Sequence, residues 1–597
     1  MSGTTFQAEI TLNVLVEGDD PRRNIFNITV PLQSRFNQVL KIIQKEYWGL
    51  HQISLYGLDL YRANLHPEQA RHIQLTDEAI LLCLESVASE WPSQSDADPR
   101  LVHIVVQPRS RQVTNTSRAD TPPSAETEFS KYIEDFNKLQ LGFAQRAPTG
   151  NSSSAAQPKN FRAQQKGPNF INNGRPADKE GPPIILFHPV FGRFLTQLRS
   201  TDPIDPQVYR HTVDHFIVSQ DLYEHETKHP EARDEVTCTS LRDLLGDTLS
   251  KVTANGVQAD GTITGWDATR IIIMEMKNEI GTGGSDPSIQ AAQSYLRYWS
   301  NQLARRWLNW CCCPSILVAI AGPWMCILGG IYLDRPVIQP LTHFLWVGSN
   351  PARPSQLGYI ARVFHCLSSA RGELEAFYRT SAPPALGYNP ARPFPYLTHY
   401  MDAEGNCVRF VYRKGLCPAN PEKLIFLAET TAAENPRYIV VKFVQNYNTI
   451  AHKLLAEQKL APELLYDGTQ YPNDQPGPEH IMIVMEFVQG VNLDEWLTHF
   501  RLSQSALSDI DTALKLLHDN NFVFGDLRPP NVMILQDSSG AATGRAMLVD
   551  FDWCGKHLEG RYPLRMNMTL GWHEQVEPGA IMEIKHDIHM FKQLTQK

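Results

Sequence analysis

The chain has 597 residues, 42% of them hydrophobic and 20% charged, with a formal net charge of −9. That length excludes a single hydrophobic core and calls for about three or four domains. Composition is that of an ordinary soluble globular protein, and the acidic balance gives no global reason to expect nucleic acid or anionic membrane as a partner, although a local basic groove stays open.

The cysteines show no CxxC or disulfide-like spacing apart from the adjacent Cys311-Cys312-Cys313. This reads as reduced, intracellular chemistry. Met1 to Leu12 carries Glu9 and lacks a basic start before an apolar core, so no conventional signal peptide is visible and any export would be unconventional.

Residues 8–16 and 24–31 are rich in Val, Ile, Leu and Thr around a Gly18-Asp19-Asp20-Pro21 turn and read as a hairpin. Ser34 is placed to cap a helix reaching about Tyr47, with Phe36, Val39, Leu40, Ile42 and Ile43 as its apolar stripe. Short strands are expected near 54–61 and 79–84. This ββαββ order within 1–108 implies a ubiquitin-like β-grasp roll.

From 109 to 182 the chain is rich in Ser, Thr, Asn, Gln and Pro and reads as a mostly disordered linker. One helix is expected over 124–144, where Phe129, Tyr132, Ile133, Phe136 and Leu139 share a face. It either docks on a neighbouring domain or joins copies of the chain in a homo-oligomer.

A second globular region spans 183–357. The uncharged run Cys311–Leu333 is the only membrane candidate, but Pro314, Gly322-Pro323 and Gly329-Gly330 would break a spanning helix. Two buried strands, 315–320 and 325–328, explain it better. Upstream, Asp260-Gly261 precedes the apolar strand Arg270–Lys277, whose alternation puts Glu275 and Lys277 on one face. If the fold brings Asp260 beside them, Asp260 and Glu275 could hold Mg²⁺ while Lys277 steadies a hydroxide or the developing phosphorane charge, as phosphodiester hydrolysis requires. A helix from Pro287 to Ala304 completes an α/β frame. These residues resemble the restriction-endonuclease-like PD-(D/E)xK superfamily, and an upstream helical glutamate of that pattern would have to be Glu235. The competing reading is a structural or nucleic-acid-binding α/β domain with Glu275 and Lys277 as an ordinary charge pair.

After a connector over 358–393, a third region spans 394–597. Arg437–Val444 reads as a strand ending on an inward Lys442, 449–459 as a helix, Ile481–Phe487 as an edge strand and hinge with Glu486, and Ser503–His518 as a further helix. Then come Phe524-Gly525-Asp526-Leu527-Arg528-Pro529-Pro530-Asn531 and Val549-Asp550-Phe551-Asp552, with Asp550 lying 19 residues after Asn531. A carboxylate, an amide five residues on, and a carboxylate ending an apolar run are what phosphoryl transfer uses. Asp526 would accept the proton of an attacking hydroxyl, and Asn531 and Asp550 would hold Mg²⁺.

In that order these elements resemble the eukaryotic-type protein kinase superfamily and its small-molecule kinase relatives, implying a two-lobe domain. The resemblance implies that Lys442 reaches the ATP phosphates and that adenine lies beside Glu486. Phe524-Gly525-Asp526 stands for the usual His-Arg-Asp, and Asp550-Phe551-Asp552 for Asp-Phe-Gly. No glycine-rich loop precedes Lys442, and Glu457 is the only candidate helix partner for it. ATP and Mg²⁺ binding are thus expected ahead of protein phosphorylation.

The opening Leu12–Pro21 and the later Leu58–Leu65 resemble the ubiquitin-like amino-terminal domain of Crinkler effectors, with the sorting motif of that family at Leu60-Tyr61-Arg62-Ala63-Asn64. In that family a restriction-endonuclease-like domain is found joined to a kinase-like domain, the order seen here. Members are secreted by oomycetes and fungi and act inside host cells, commonly in the nucleus, so the resemblance implies a secreted effector with a host nuclear protein or DNA as partner. Two other readings are a non-catalytic pseudokinase scaffold that binds a host protein, and an endogenous fungal kinase-like regulator.

Overall fold

The computed structural model describes residues 8–16, 25–34, 36–46, 58–70, 81, 86–108, 125–148, 150–227, 229–251, 253–254, 257–384, 387–417, 423–431 and 436–596. It is a multidomain, mixed α/β molecule with several sheets. Two compact units divide between Thr121 and Pro122.

In the first unit, β1 (Glu9–Val16) buries Ile10, Leu12 and Val14 and pairs antiparallel with β2 (Phe26–Pro31), forming the expected hairpin. The helix α1 (Phe36–Glu46) buries Phe36, Val39, Leu40 and Ile43, a spacing that places all four on one face. Next comes β3 (Leu58–Leu65), which carries the Leu60–Asn64 motif. Residues 54–57, and the strand expected near 79–84 apart from Leu81, lie outside the described residues. A strand absent from the sequence reading, β4 (Val102–Pro108), sits inside the sheet, whose order is β2-β1-β4-β3. It runs parallel to β1 and adds Ile104 and Val106 to the core. Parallel neighbours need a long crossover, so this pairing has no local signature.

The second unit corrects the linker expectation. From Ala125 onward the chain is packed: α2 (Ala125–Gln145) buries Ile133 and Phe143, and the short helix Pro158–Lys166 buries Phe161. Few apolar residues suffice because polar ones are satisfied internally. The buried Gln165 side chain accepts from the Ile171 N–H (2.8 Å) and donates to the carbonyls of Ile171 (2.9 Å) and Arg175 (2.6 Å). Residues 109–124 lie outside the described residues.

Three helices follow, α3 (Pro189–Arg199), α4 (Pro206–Gln220) and α5 (Arg233–Leu245). They lead into a sheet of β5 (Gly261–Thr264), β6 (Arg270–Lys277), β7 (Ser315–Ala321), β8 (Trp324–Tyr332) and β9 (Pro336–Pro340), ordered β9-β8-β7-β6-β5. Between the parallel strands β6 and β7 runs α6 (Pro287–Trp299), which packs on both. The run Cys311–Leu333 supplies β7 and β8, as its Pro and Gly pattern predicts. Among the described residues no helix is long and apolar enough to cross a membrane. The expected connector is mostly a core helix, α7 (Gln356–Thr380), which buries Ile360, Phe364, Leu367, Leu374 and Tyr378 and packs against α3, α4 and α5.

A second large sheet contains β10 (His399–Met401), β11 (Cys407–Gly415), β12 (Ile425–Thr430), β13 (Tyr438–Val444), β14 (Leu464–Asp467) and β15 (Ile481–Glu486), with α8 (Thr449–Glu457) between β13 and β14. Its order is β10-β11-β12-β13-β15-β14. The strand β15 is therefore interior, not an edge, because β14 folds back to pair with its free side. The remainder comprises β16 (Gly490–Asn492), α9 (Gln504–Asp519), β17 (Val532–Gln536), β18 (Ala542–Leu548) and α10 (Ile584–Thr595), with β16, β17 and β18 forming a small sheet.

Core boundaries do not follow the expected domain boundary at 394. Phe410, Val441 and Val484 of the second large sheet belong to the same hydrophobic cluster as Trp299 and Tyr332, whereas Leu455, Leu514, Phe524 and Phe551 form another. The joint is close: a Cβ added to Gly192 of α3 would overlap the Pro476 carbonyl oxygen.

Candidate functional site

The hairpin β17/β18 explains how residues far apart in sequence meet. Its register pairs Val532 with Leu548, so the residues flanking that pair, Asn531 and Val549, are neighbours, and the Val549 N–H donates to the Asn531 carbonyl at 2.9 Å. Asn531 Nδ2 in turn donates to the Asp526 carboxylate (2.7 Å) and carbonyl (2.9 Å). Asp526 and Asn531 are both buried, with Asp550 one residue past Val549.

The loop bearing Asp526 is held from behind by a residue the sequence reading missed. Asp587 of α10, only 1% exposed, accepts the backbone N–H groups of Phe524 (2.7 Å) and Gly525 (2.9 Å), and His518 Nε2 lies 3.0 Å from it. Gly525 has φ of +79°, a left-handed conformation that a side chain would strain, and a Cβ there would meet Met582 and the Trp553 carbonyl. Arg528 grips Asp526 with two nitrogens, Nη2 at 2.6 Å and Nε, and its guanidinium lies 5.8 Å from the rings of both Trp553 and Trp572.

Across the site, Lys442 Nζ on β13 binds Asp550 Oδ1 (2.6 Å) and Asp552 Oδ1 (2.5 Å). Phe551 between them is fully buried, stacked on His452 of α8 at 4.7 Å and edge-on to Phe524. Asp550 takes φ of +74°, which turns its carboxylate from the strand direction toward Lys442. Burial raises the carboxyl pKa of Asp550, but the Lys442 ammonium outweighs it and holds the group at about 2. Burial, reinforced by repulsion from Asp550, pushes Asp552 up to about 7 despite the same ammonium. For Lys442, burial favours the neutral form, and the two carboxylates more than reverse that.

Lys442, Asp526, Asn531 and Asp550 are thus brought together, and Asp552 and Arg528 join them. Glu457 does not pair with Lys442: it is exposed at the end of α8, while Asp550 and Asp552 occupy the ammonium. Glu486 stands apart, exposed, with its N–H on the Glu463 carbonyl and its register partner Ile439 three residues before Lys442.

Whether this site suits Mg²⁺ and ATP is tested by its donors. The Asn531 amide nitrogen is spent on Asp526, which leaves its oxygen, and Asp550 offers a carboxylate. Oxygen ligands few in number suit a hard ion that shares its shell with phosphates and water. Among the described residues no group of three or more His, Cys, Asp or Glu side chains is arranged to hold a metal by itself.

The middle region has its own acidic cluster. Pairing of β5 with β6 brings Asp260 to the end of β6, where its Oδ2 accepts the Met276 N–H at 2.8 Å. Glu275 is fully buried and accepts from Gln290 Nε2 and Ser294 Oγ of α6, each at 2.5 Å. Burial and then the nearby Asp260 push the Glu275 carboxyl well above its usual range, and Asp260 is raised chiefly by burial. Lys277 Nζ pairs with Glu226 at 2.9 Å, a loop residue with no sequence signal. Glu235 does not reach this cluster and pairs with Lys251 at 2.7 Å. Glu275 is thus a buried carboxyl whose proton affinity is raised by burial and the adjacent Asp260, a combination that a divalent cation would relax.

No family model and no curated protein matches the chain. Among solved structures, the Cydia pomonella granulovirus kinase PK-1 matches with 15% sequence identity and a TM-score of 0.22, covering 28% of this chain and 60% of that one.

Proposed function

We propose that the carboxy-terminal region binds Mg²⁺-ATP and transfers a phosphoryl group, within an effector of Crinkler type that acts in host cells, in the nucleus. The supporting observation is the linked set in which Lys442 binds Asp550 at 2.6 Å, the preceding residue Val549 donates its N–H to Asn531 at 2.9 Å, and Asn531 donates to Asp526 at 2.7 Å. The order β11-β12-β13-β15-β14 with Lys442 inward on β13 supports a kinase-like amino-terminal lobe, and the mixed β2-β1-β4-β3 sheet supports a ubiquitin-like domain at the start of the chain. Bound ATP supplies the activated phosphoryl group. With both bound, Lys442 would hold phosphate oxygens in place of its carboxylates, Asn531 and Asp550 would hold Mg²⁺, and Asp526, oriented by Asn531, would take the proton of the acceptor hydroxyl. Arg528 must loosen its two-pronged hold for Asp526 to act as that base. The test is equilibrium binding of a fluorescent ATP analogue with Mg²⁺: Lys442→Ala and Asp550→Ala are expected to abolish it, and undiminished affinity in both would overturn the assignment.

A second activity is supported by the convergence of Asp260, Glu275 and Lys277 at one end of β6. On this reading the middle region cuts DNA with Mg²⁺ held by Asp260 and Glu275. It requires Glu275 to exchange its Gln290 and Ser294 hydrogen bonds for the ion. Mg²⁺-dependent nicking of duplex DNA should vanish in Lys277→Ala; no nicking by the unaltered protein would favour a host-protein-binding scaffold.

A further inference from the structure

Within the second unit, a cleft of about 950 Å³ separates the middle α/β region from the carboxy-terminal region. Asn172–Pro183 and Ile338–Pro340 contribute one wall, Phe443–Asn446, Asp552–Gly555 and Gly560–Arg565 the other. The volume falls at the upper end of the range, roughly 300–1,000 Å³, that encloses small ligands.

Formal charge on the walls balances, with Glu180 and Asp552 against Arg561 and Arg565. Arg565 faces Glu180 across the cleft at 3.9 Å, Arg561 donates to the Gly579 carbonyl at 2.8 Å, and Asp552 is held by Lys442 at 2.5 Å. Among the described residues no surplus of either sign is left there to retain a polyanion or a polycation. The free hydrogen-bonding capacity is neutral. Among the described residues, the side-chain amides of Asn172, Gln445 and Asn446 line the cleft without a hydrogen bond of their own, and His480 Nδ1 is buried there without a partner. Burial also keeps the His480 imidazole below its ordinary range, favouring the neutral ring. Amides and a neutral imidazole each offer donor and acceptor, as a hydroxyl does, and the half-buried Trp553 adds aromatic surface for the C–H face of a ring.

We infer that this cleft binds a small, uncharged, polyhydroxylated molecule of the sugar or cyclitol class, held between the two regions. Asp552 links the cleft to Lys442, so a bound hydroxyl lies beside the acidic cluster. Its service as phosphoryl acceptor rests on the proposed function; its binding does not.

The experiment uses the full chain without nucleotide and saturation-transfer NMR, with myo-inositol and D-glucose as probes and an arginine-rich peptide and a single-stranded oligodeoxynucleotide as comparators. Asn172→Trp and Asn446→Trp fill the cleft from opposite walls. Saturable binding of a neutral probe, weakened at least about 10-fold by either variant with unchanged thermal unfolding, is the expected result. Absence of binding by both polyols, binding equal in both variants, or cleft-dependent binding of the peptide or oligonucleotide instead would overturn the inference. Polyol binding in a protein that fails to bind the ATP analogue would uphold the cleft and remove the phosphoryl-transfer reading.

Discussion

Lys442 holds two carboxylates that respond to pH in opposite ways. The folded pKa of Asp550 is depressed, so its contribution to stability is present above the ordinary carboxylate range and is lost as pH falls toward 2. The folded pKa of Asp552 is raised to about 7, so the folded chain keeps a proton that the unfolded chain has released, and stability declines as pH climbs from the ordinary carboxylate range to that value. Asp552→Asn should flatten this decline, read as urea midpoints at pH 5 and pH 8; an identical decline in both proteins would refute the assignment. Asp587→Ala should cost about 2–4 kcal/mol, because it strands two buried N–H donors, and should weaken ATP-analogue binding by loosening the Asp526 loop. Chemical denaturation and analogue titration together check this. Asp526, Asn531 and Asp550 are legible in the sequence because their spacing repeats a known chemical pattern. Asp587 is not, since its partners lie 62 and 63 residues away.

At the scale of elements, periodicity identifies whatever buries one face locally. The hairpin at the amino terminus, α1, β13, β15 and the two strands within Cys311–Leu333 all follow from it. Where an element depends on a distant partner, the pattern misleads. The strand β4 is made by its parallel pairing with β1, and β15 becomes interior only through β14. The helix α2 illustrates the opposite error, a real amphipathic signal inside polar sequence. Phe129 and Tyr132 stack on Phe394 at 6.3 and 5.4 Å, and Gln140 donates to the Leu333 carbonyl at 2.7 Å, so most of its apolar face is used within the chain, while Leu139, expected on that face, stays 59% exposed. Phe394→Ala is expected to cost about 3–5 kcal/mol and to accelerate hydrogen exchange across 125–145 before the rest of the unit. Uniform acceleration would show that α2 is not held through this contact.

Over the whole molecule, the feature that composition conceals is the shared hydrophobic cluster joining the middle region to the second large sheet. Gly192 marks its closest approach. Gly192→Val forces side-chain atoms into the Pro476 carbonyl, and since that backbone is anchored on both sides, the expected outcome is loss of several kcal/mol or an aggregated product, measured by calorimetry. A chain of unchanged melting temperature would mean that the joint yields. If it does not yield, recombination is constrained. A chimera cut at residue 394 would bare two greasy faces, one on the middle region and one on the second large sheet. Diversification of such a protein should therefore transmit the middle region and the second large sheet as one inheritance.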